Sequence, residues 1–580
     1  MKKIKFNSEK FLKIFTIAIY TIALLIYEIG ICNGDIIKNF IQNNQMGYNF
    51  SLSRIVLYVI FYIVLFKYID KLIPIAKKGL DNKYRKAILV AYSVLLVIVS
   101  IYVLIRWISV IKAWNLIIAL LMGLVFVIYV SSDYIKNVIV LTFTFGVLFT
   151  FTTDFNHAID EKKHMMSAIN IAGGNINYAK NPKYDAAYHN IIFNCDIDSF
   201  LQFYGKKYNL ELRDDWNITD ETYIYYVCSS PAEYNPILYT PSVIGILFTR
   251  ILGGSIADVY VTARLFNLFA YALMLIAILK LLPYKQKIFF IIYTIPFQIL
   301  LAASLSVDGI CIGILGLFIA YCLKLSEVDY KAIKLKQILT IMIMFAFCLL
   351  AKNLAYIAII LFIFVLPIFK ILKNNKKNLP ILCTIIIIAT VVCGVLLLNK
   401  FNSTTQSGGD PRGGDTSVTR QIEFLLSSPI NIINVGFSHV ANSLLNFNWY
   451  TYMSHGAFFG KYSNQIWLME MVFIIYVCVT DNSKKIKLRT VIVSLITFAA
   501  VFGSTSLMLY LAFTPVGQIN ISGYQPRYII PIIPVILMLI NSSRYLNKST
   551  KEQEEKNNIN ITLTVGAFMV LHLFCLVYVI

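Results

Sequence analysis

The chain has 580 residues, of which 58% are hydrophobic and only 14% are charged, and its mean hydropathy is +0.70. A water-soluble globular protein carries about 25% charged residues, so this composition excludes that class and indicates a polytopic membrane protein. The net charge of +21 does not indicate nucleic-acid binding, because Lys and Arg are concentrated in short segments between apolar runs, as in cytoplasmic loops.

Apolar runs near the length that crosses about 30 Å of hydrocarbon recur along the whole chain. They predict an all-α integral membrane bundle of about 15 spans. The runs are Phe11–Cys32, Ile55–Ile69, Ala87–Ile105, Leu116–Val130, Val138–Phe151, Ile256–Leu279, Ile288–Ala303, Ile310–Leu323, Ile338–Ala351, Leu354–Ile371, Ile381–Leu398, Ile466–Val479, Val491–Phe513, Ile529–Ile540 and Ile561–Ile580.

The basic clusters predict a cytoplasmic N-terminus, and the acidic segment after the fifth span predicts a large extracytoplasmic loop at 154–236. Cytoplasmic and extracytoplasmic loops alternate consistently along the chain only when two short, interrupted stretches do not cross the membrane: Ile237–Leu252 and Phe424–Asn446. We expect both to be interfacial or re-entrant helices. One extra hairpin crossing is the alternative that hydropathy leaves open.

The same pattern divides the chain into three parts. Residues 1–137 form an N-terminal four-span extension, 138–540 the main membrane domain, and 541–580 a charged cytoplasmic segment with the last span. A glycine-rich segment at 399–423 is expected to be a flexible outer loop. Two cysteines of the large loop are candidates for a disulfide, which an extracytoplasmic compartment permits: Cys195 and Cys228.

Three ionisable residues follow the fifth span directly: Asp160, Glu161 and His164. Such groups at the mouth of a span are costly to place there, which favours a function. On a helix, residues four apart share a face, so Asp160 and His164 are expected to point the same way. A solvated outer helix is the structural alternative. Two carboxylates and an imidazole at the membrane edge fit acid–base chemistry on a lipid-borne substrate.

Further charged residues fall near the outer ends of predicted spans: Asp258, Asp308, Lys352 and Arg527. Four such residues on the side of Asp160 suggest a common outward-facing cavity. Lys352 and Arg527 are suited to hold a phosphate there, since a guanidinium can donate two parallel hydrogen bonds. Arg264 is expected to form a structural ion pair with Asp258.

The chain contains no P-loop, no dinucleotide fingerprint and no Gly-x-Ser-x-Gly motif, which disfavours an ATP-driven pump and a soluble nucleotide-sugar enzyme. A transferase of this topology would take its donor from the membrane as a lipid-linked phosphate. Aromatic residues at the outer interfaces, among them Tyr234, Tyr239 and Tyr528, are expected to anchor the protein or to stack on a sugar.

An ordered set of motifs resembles a domain-of-unknown-function family of predicted bacterial membrane proteins that is thought to belong with the GT-C glycosyltransferases. The motifs are Asp160-Glu-x-x-His164, Tyr234-Asn-Pro-Ile-Leu-Tyr239, Ala263-Arg-Leu-Phe-Asn267, Ser304-Leu-Ser-Val-Asp308, Ala351-Lys-Asn353 and Gly523-Tyr-Gln-Pro-Arg-Tyr528. In the last motif Pro526 replaces the glycine that the family usually shows. The four spans ahead of the motifs are a further departure, because the family typically has one.

The resemblance implies a GT-C-like enzyme of the bacterial plasma membrane. It would move a sugar from a polyprenyl-phosphate donor to a cell-envelope glycan or lipid acceptor on the outer face, without a soluble cofactor. Asp160 or Glu161 would act as general base or help to hold a divalent metal. The expected substrate-binding residues are His164, Tyr239, Asp308, Lys352, Gln525, Arg527 and Tyr528. The alternative is a transporter or flippase of lipid-linked saccharides, which predicts internal repeats and charges near the bilayer midplane.

Overall fold

The computed structural model describes thirteen stretches of the chain, and α-helices make up most of them, as the apolar runs predict. The described residues are 8–28, 51–80, 83–106, 110–153, 158, 160–173, 234–254, 256–352, 355–374, 413–446, 464–481, 483–540 and 550–579. Most of the predicted outer loop 154–236, including Cys195 and Cys228, lies outside them, as does the predicted span Ile381–Leu398.

The helices of the N-terminal half are α1 (Ser8–Leu25), α2 (Leu52–Leu80), α3 (Lys83–Arg106), α4 (Val110–Tyr129), α5 (Tyr134–Leu141), α6 (Val147–Thr152), α7 (Glu161–Ala172), α8 (Thr240–Ile251) and α9 (Ile256–Leu281). A π-helical turn, Thr142–Gly146, joins α5 to α6, so that these three segments form one continuous helix. A 3₁₀ turn, Pro236–Tyr239, leads into α8.

The helices of the C-terminal half are α10 (Gln286–Thr294), α11 (Pro296–Ala302), α12 (Asp308–Ser326), α13 (Leu335–Leu350), α14 (Ile368–Asn374), α15 (Val418–Ser427), α16 (Pro429–Val440), α17 (Asn464–Val479), α18 (Leu488–Phe513), α19 (Ile533–Leu537) and α20 (Lys551–Val579). Between α13 and α14 the predicted span Leu354–Ile371 contains a 3₁₀ segment, Ile357–Val365. Helix α15 begins inside the predicted loop 399–423, capped by the Ser417 side chain.

Seven helices of the described stretches are long and apolar enough to cross a membrane, which makes this a multi-pass membrane protein. They are Glu9–Glu28, Leu52–Lys77, Arg85–Tyr102, Tyr134–Phe151, Asp258–Leu281, Asp308–Ser326 and Leu488–Phe513. Other predicted runs form shorter helices, among them α13 and most of α17. Helices α15 and α16 are bent by 109° and would count as an eighth span if they crossed together.

Prolines explain why several apolar runs are broken. The residue before a proline is driven towards extended backbone, and proline has no N–H to donate. Ile295 accordingly has ψ 150° and separates α10 from α11, and Ser428 has ψ 133° at the sharp bend between α15 and α16. Gln525, with ψ 148°, is the extended residue just before the 3₁₀ turn Pro526–Tyr528. The last of these breaks positions Arg527.

The N-terminal helices are joined to α9 by a buried ionic network. Arg54, at the start of α2, donates to Asp258 of α9 (3.1 Å) and to Glu28 (3.0 Å). Tyr58 donates to Glu28 at 2.6 Å, and Ser51 donates to Asp258 at 2.7 Å. The expected pair between Arg264 and Asp258 is therefore wrong. Six residues apart on a helix, those two side chains lie on different faces, about 120° apart.

Helices α8 and α9 approach closely at a glycine. A Cβ built on Gly245 would lie 2.7 Å from the carbonyl oxygen of Thr262 and 2.8 Å from Cα of Ala263. Both contacts are with backbone atoms, which cannot rotate away. Small residues at such crossings allow two membrane helices to pack backbone to backbone.

We therefore expect Gly245→Ala to lower the free energy of unfolding by about 1–3 kcal/mol through overpacking. The measurement is the thermal midpoint of the purified protein in detergent. Gly436→Ala is the matched control, because a Cβ at that helical position meets nothing within 4 Å, and alanine favours a helix over glycine. Equal midpoints for the two variants would contradict the close crossing.

Candidate functional site

Four charged residues from distant parts of the chain meet in one place, and we call them the charge cluster: Asp160, Asp308, Lys352 and Arg527. Arg527 Nη2 donates to Oδ2 of Asp160 at 2.8 Å. Its Nη1 lies 3.3 Å from Oδ2 of Asp308, whose Oδ1 is 2.5 Å from Nζ of Lys352. The structure thus joins the three outer-end charges Asp308, Lys352 and Arg527 to Asp160. Asp258 is not among them, because it binds Arg54.

Each member of the charge cluster lies at the end of a helix or in a turn. Asp160 immediately precedes α7, Asp308 is the first residue of α12, and Lys352 follows the end of α13. Asp160 and Lys352 both adopt positive φ, 58° and 46°. Elsewhere in the described chain only Lys285 does so among non-glycine residues. Strained backbone of this kind persists where the surroundings hold it, and it concentrates at functional sites.

The charge cluster contains two positive and two negative charges, and burial strengthens the electrostatic interaction between them. The Arg527 side chain is only 4% exposed. Burial disfavours its charged form, but Asp308, Tyr528 and Asp160 outweigh that effect and raise the pKa of Arg527 well above its usual value. Burial also disfavours the charged form of Asp160 and so raises its pKa. Arg527, His164 and Lys352 together outweigh this effect and lower that pKa below its ordinary value. Asp160 is therefore ionised at neutral pH.

Arg527 has donors to spare. Its Nε and Nη1 atoms are buried and make no hydrogen bond within the described chain. An unmet buried donor is costly, and more so when it carries charge. Nη1 still lies in ion-pair distance of Asp308, so Nε is the donor that faces neither carboxylate, and a buried guanidinium with such a donor is suited to an anionic ligand such as a phosphate.

Aromatic side chains surround the cationic side of the cluster. Lys352 Nζ lies 4.3 Å from the ring centre of Tyr528 and 5.6 Å from that of Tyr234. The His164 ring stacks on Tyr234 at 5.7 Å, and its Nδ1 lies 3.1 Å from the hydroxyl of Tyr239. The expected substrate-binding residues His164, Tyr239 and Tyr528 are thus all neighbours of the charge cluster.

Glu161 lies outside the charge cluster, although it follows Asp160 in the chain. Asp160 precedes α7 and has a positive φ, whereas Glu161 is the first residue of that helix, so the two side chains point in different directions. Its oxygens accept from Nε and Nη2 of Arg264, both at 2.8 Å, and from the backbone N–H of Leu305 at 3.0 Å. Both side chains are fully buried. Glu161 is therefore bound on both oxygens in a bidentate ion pair, which suits a structural role, and of the two adjacent carboxylates Asp160 alone belongs to the charge cluster.

The structure also locates Gln525, which the sequence predicts as a substrate-binding residue, and Tyr356, which the sequence does not predict. The backbone carbonyl of Gln525 accepts from the N–H of Tyr528 at 3.1 Å, and within the described chain its side chain makes no hydrogen bond to the cluster. The hydroxyl of Tyr356 donates to the carbonyl of Tyr528 at 2.8 Å, and sequence reasoning did not single it out. Its position four residues after Lys352 is the one signal that could have done so.

The described residues do not fit a divalent-metal site. No group of three or more His, Cys, Asp or Glu side chains comes together among them. The two carboxylates of the charge cluster are already neutralised by Lys352 and Arg527, so that a dication would have to displace both. Hard cations of this kind take several oxygen ligands.

The Glu161–Arg264 pair leads to a prediction about stability. Arg264→Met leaves a carboxylate buried without its partner, which we expect to lower the free energy of unfolding by about 3–5 kcal/mol. The double variant Arg264→Met with Glu161→Gln removes both charges and should recover part of that loss. Thermal midpoints of the purified variants in detergent measure it. A single variant as stable as the wild type would show that the pair is not what orients α7.

The lowered pKa of Asp160 predicts a pH dependence. A carboxyl group whose folded pKa is depressed stabilises the fold above its unfolded pKa of about 4, and that contribution is lost as the pH falls through the folded pKa. We expect Asp160→Asn to have a lower thermal midpoint than the wild type from pH 7 to about 5, with the gap closing below about 4. A gap that grows on acidification would contradict the Asp160–Arg527 pair.

Comparison with known proteins places these residues in a family. The model of a family described as a predicted membrane protein (DUF2142) matches residues 143–536, and the match includes all four residues of the charge cluster. No curated protein and no solved structure matches the chain. Because the matched region is more than half of its length, the chain belongs to the DUF2142 family of predicted membrane proteins.

Proposed function

We propose that the protein is a GT-C-like glycosyltransferase of the bacterial plasma membrane, with about 15 spans and a cytoplasmic N-terminus. It transfers a sugar from a polyprenyl-phosphate donor to a glycan or lipid acceptor of the cell envelope on the outer face. The observation that carries the proposal is the charge cluster, in which a buried arginine with an open Nε donor lies beside an ionised, partly exposed carboxylate.

The phosphate of the donor binds at Arg527. Its open Nε donor can bind one oxygen of that phosphate, while Nη1 and Nη2 face Asp308 and Asp160, and Lys352 supplies a second positive charge beside Asp308. During transfer the bond between the sugar carbon and the phosphate oxygen breaks, and the departing phosphate gains negative charge. Fixed cations in a water-poor site stabilise that charge more strongly than water does.

Asp160 acts as the general base. Its side chain is 34% exposed, whereas those of Asp308 and Arg527 are 5% and 4% exposed, so the acceptor hydroxyl reaches the cluster at Asp160. The new bond forms between that hydroxyl oxygen and the sugar carbon, and the proton passes to Asp160. Before the donor binds, Arg527 keeps Asp160 a weak base; a phosphate at Arg527 offsets this effect and raises the pKa of Asp160.

Glu161 has no part in this mechanism, since both of its oxygens are bound in the interior. His164 and Tyr239 are the neighbours that position the acceptor near Asp160. His164 is close enough to Asp160 to lower the pKa of its carboxyl group, and its own ring is buried beside Tyr234 and Tyr239. No step requires a divalent metal.

A surface-glycan analysis tests the proposal in a strain that lacks the protein and expresses variants at matched levels. We expect Asp160→Asn to abolish the glycan change that the wild type restores. Arg527→Lys keeps the charge but loses the fork, and transfer by isolated membranes should fall at least tenfold.

The matched controls are Asp415→Asn and Arg420→Lys, which alter an exposed Asp–Arg pair of the same chemistry, with both N–O distances 2.9 Å. Both controls should behave as the wild type. Wild-type transfer by Arg527→Lys membranes would remove this residue from the donor site. Movement of an intact lipid-linked saccharide across vesicles, without transfer, would favour the transporter alternative instead.

A further inference from the structure

The segment that carries Arg527 is interrupted by three prolines, and we call residues 526–534 the proline segment. Its prolines, all buried, are Pro526, Pro531 and Pro534. The backbone forms two 3₁₀ turns there, Pro526–Tyr528 and Ile530–Ile532, before α19 begins. Irregular backbone inside a membrane domain is tolerated where other protein groups bind its polar atoms, because hydrocarbon offers none.

The prolines deprive two carbonyls of this segment of a backbone donor. In a 3₁₀ turn each carbonyl accepts from the N–H group three residues later. Three residues after Tyr528 comes Pro531, and three residues after Pro531 comes Pro534. Because proline has no N–H, the carbonyls of Tyr528 and Pro531 have no 3₁₀ donor. The carbonyl of Ile529, by contrast, accepts from the N–H of Ile532 at 3.0 Å.

Two buried tyrosines from other parts of the chain donate to these two carbonyls. The hydroxyl of Tyr356 donates to the carbonyl of Tyr528 at 2.8 Å, and the hydroxyl of Tyr293 donates to that of Pro531, also at 2.8 Å. Tyr356 is 1% exposed and Tyr293 is fully buried. Each hydroxyl thus takes the place of one missing proline N–H. A buried carbonyl left without a donor is costly, so both bonds hold the proline segment where it is.

Tyr356 belongs to the part of the chain that carries Lys352. It lies four residues after Lys352, and the turn between them is closed by the N–H of Ala355, which donates to the carbonyl of Lys352 at 3.1 Å. The Ser504 hydroxyl of α18 donates to the carbonyl of Ala355 at 2.7 Å. The Tyr356 bond therefore fixes the segment of Arg527 against the segment of Lys352.

Tyr293, on α10, packs against α12, the helix that begins at Asp308. A Cβ built on Gly316 of α12 would lie 2.9 Å from the Tyr293 ring and 3.2 Å from its hydroxyl oxygen. On the other side, the Tyr271 hydroxyl of α9 donates to the backbone carbonyl of Tyr293 at 2.7 Å. The Tyr293 bond therefore fixes the proline segment against the helix of Asp308.

We propose that Tyr356 and Tyr293 are positioning residues for Arg527. They replace the hydrogen bonds that the prolines remove, and so hold the Arg527 guanidinium beside Asp160 and Asp308. Their part in sugar transfer rests on the proposed function, in which Arg527 binds the donor phosphate. Their part in forming the Arg527–Asp160 pair does not.

Double-mutant cycles on the full-length protein, purified in detergent, test the positioning with the thermal midpoint as the readout. Asp160→Asn removes a partner of Arg527, so the drop that it causes at pH 7 reports how closely that arginine is held. We expect the drop to be about half as large in a Tyr356→Phe background, because the two sites are coupled.

Tyr20→Phe is the matched control for these cycles. The Tyr20 hydroxyl also donates to a backbone carbonyl, that of Phe143, at 3.3 Å, but the bond involves neither the proline segment nor the charge cluster. Its effect on the midpoint should add to that of Asp160→Asn, as for independent sites. An Asp160→Asn drop that is as large in Tyr356→Phe as in the wild type would overturn the positioning role.

A restored N–H group tests the part of the prolines directly. Pro531→Ala supplies the donor that the Tyr528 carbonyl lacks, and Pro534→Ala supplies the one that the carbonyl of residue 531 lacks. We expect Pro531→Ala to recover part of the midpoint lost in Tyr356→Phe, and Pro534→Ala part of that lost in Tyr293→Phe. The two exchanged combinations should be additive. Additivity in all four combinations would contradict the replacement of proline N–H groups by tyrosine hydroxyls.

Binding of undecaprenyl phosphate, added to the purified protein as a probe of the donor site, gives the readout that depends on the proposed function. Tyr356→Phe should weaken this binding about tenfold, whereas Tyr20→Phe should leave it unchanged. Equal binding by Tyr356→Phe and the wild type would remove Tyr356 from the donor site. A wild type that does not bind the probe would count against the proposed function, while the thermal cycles would still decide the positioning role.

Discussion

The arrangement of this protein depends on the cost of placing ionised groups inside an apolar helix bundle. A buried charge is tolerated where an opposite charge and hydrogen bonds compensate it. Arg527 satisfies this requirement by standing between Asp160 and Asp308, with Lys352 completing a neutral group of four. Because these residues come from four remote segments, the same compensation that makes the site tolerable also ties the segments together.

Two arginines divide the neighbouring carboxylates Asp160 and Glu161 between them, and they do so differently. Arg264 donates to both oxygens of Glu161 and to two backbone carbonyls, so that it is fully engaged. Arg527 donates once, to Asp160; its Nη1 lies 3.3 Å from Asp308, and its Nε makes no hydrogen bond within the described chain. The Glu161–Arg264 ion pair thus orients the start of α7. Asp160, the residue just before that helix, has a positive φ and lies beside Arg527.

Much of the candidate site was predictable from the sequence. Charges at the outer ends of spans are unusual enough that their convergence could be inferred, and Asp160, Asp308, Lys352 and Arg527 do converge. The partner of each charge was not predictable. Asp258 has the same sequence signature as Asp308, yet it binds Arg54, which lies about two hundred residues away in the chain. Hydropathy reports how apolar a run is, but only packing decides which face meets which partner.

The helical class is confirmed, whereas the count of about 15 spans stays a prediction, and one proline shows why an apolar run need not form a regular span. Ile295 interrupts the run Ile288–Ala303 with extended backbone, and Ile357–Val365 winds as a 3₁₀ segment, although both stretches are hydrophobic enough to be predicted as spans. Window averages count residues without regard to order, whereas a single pre-proline residue is enough to redirect the backbone.

The Arg54–Asp258 bond has a consequence for how the molecule can be divided. Asp258 lies inside the region that the family model matches, but Arg54 precedes it. A fragment that begins at residue 143 would keep the buried carboxylate and lose its cation, while also baring the apolar wall of α9. The N-terminal helices are therefore not a removable appendage, and a truncation designed on the family boundary alone would cut through a continuous interior.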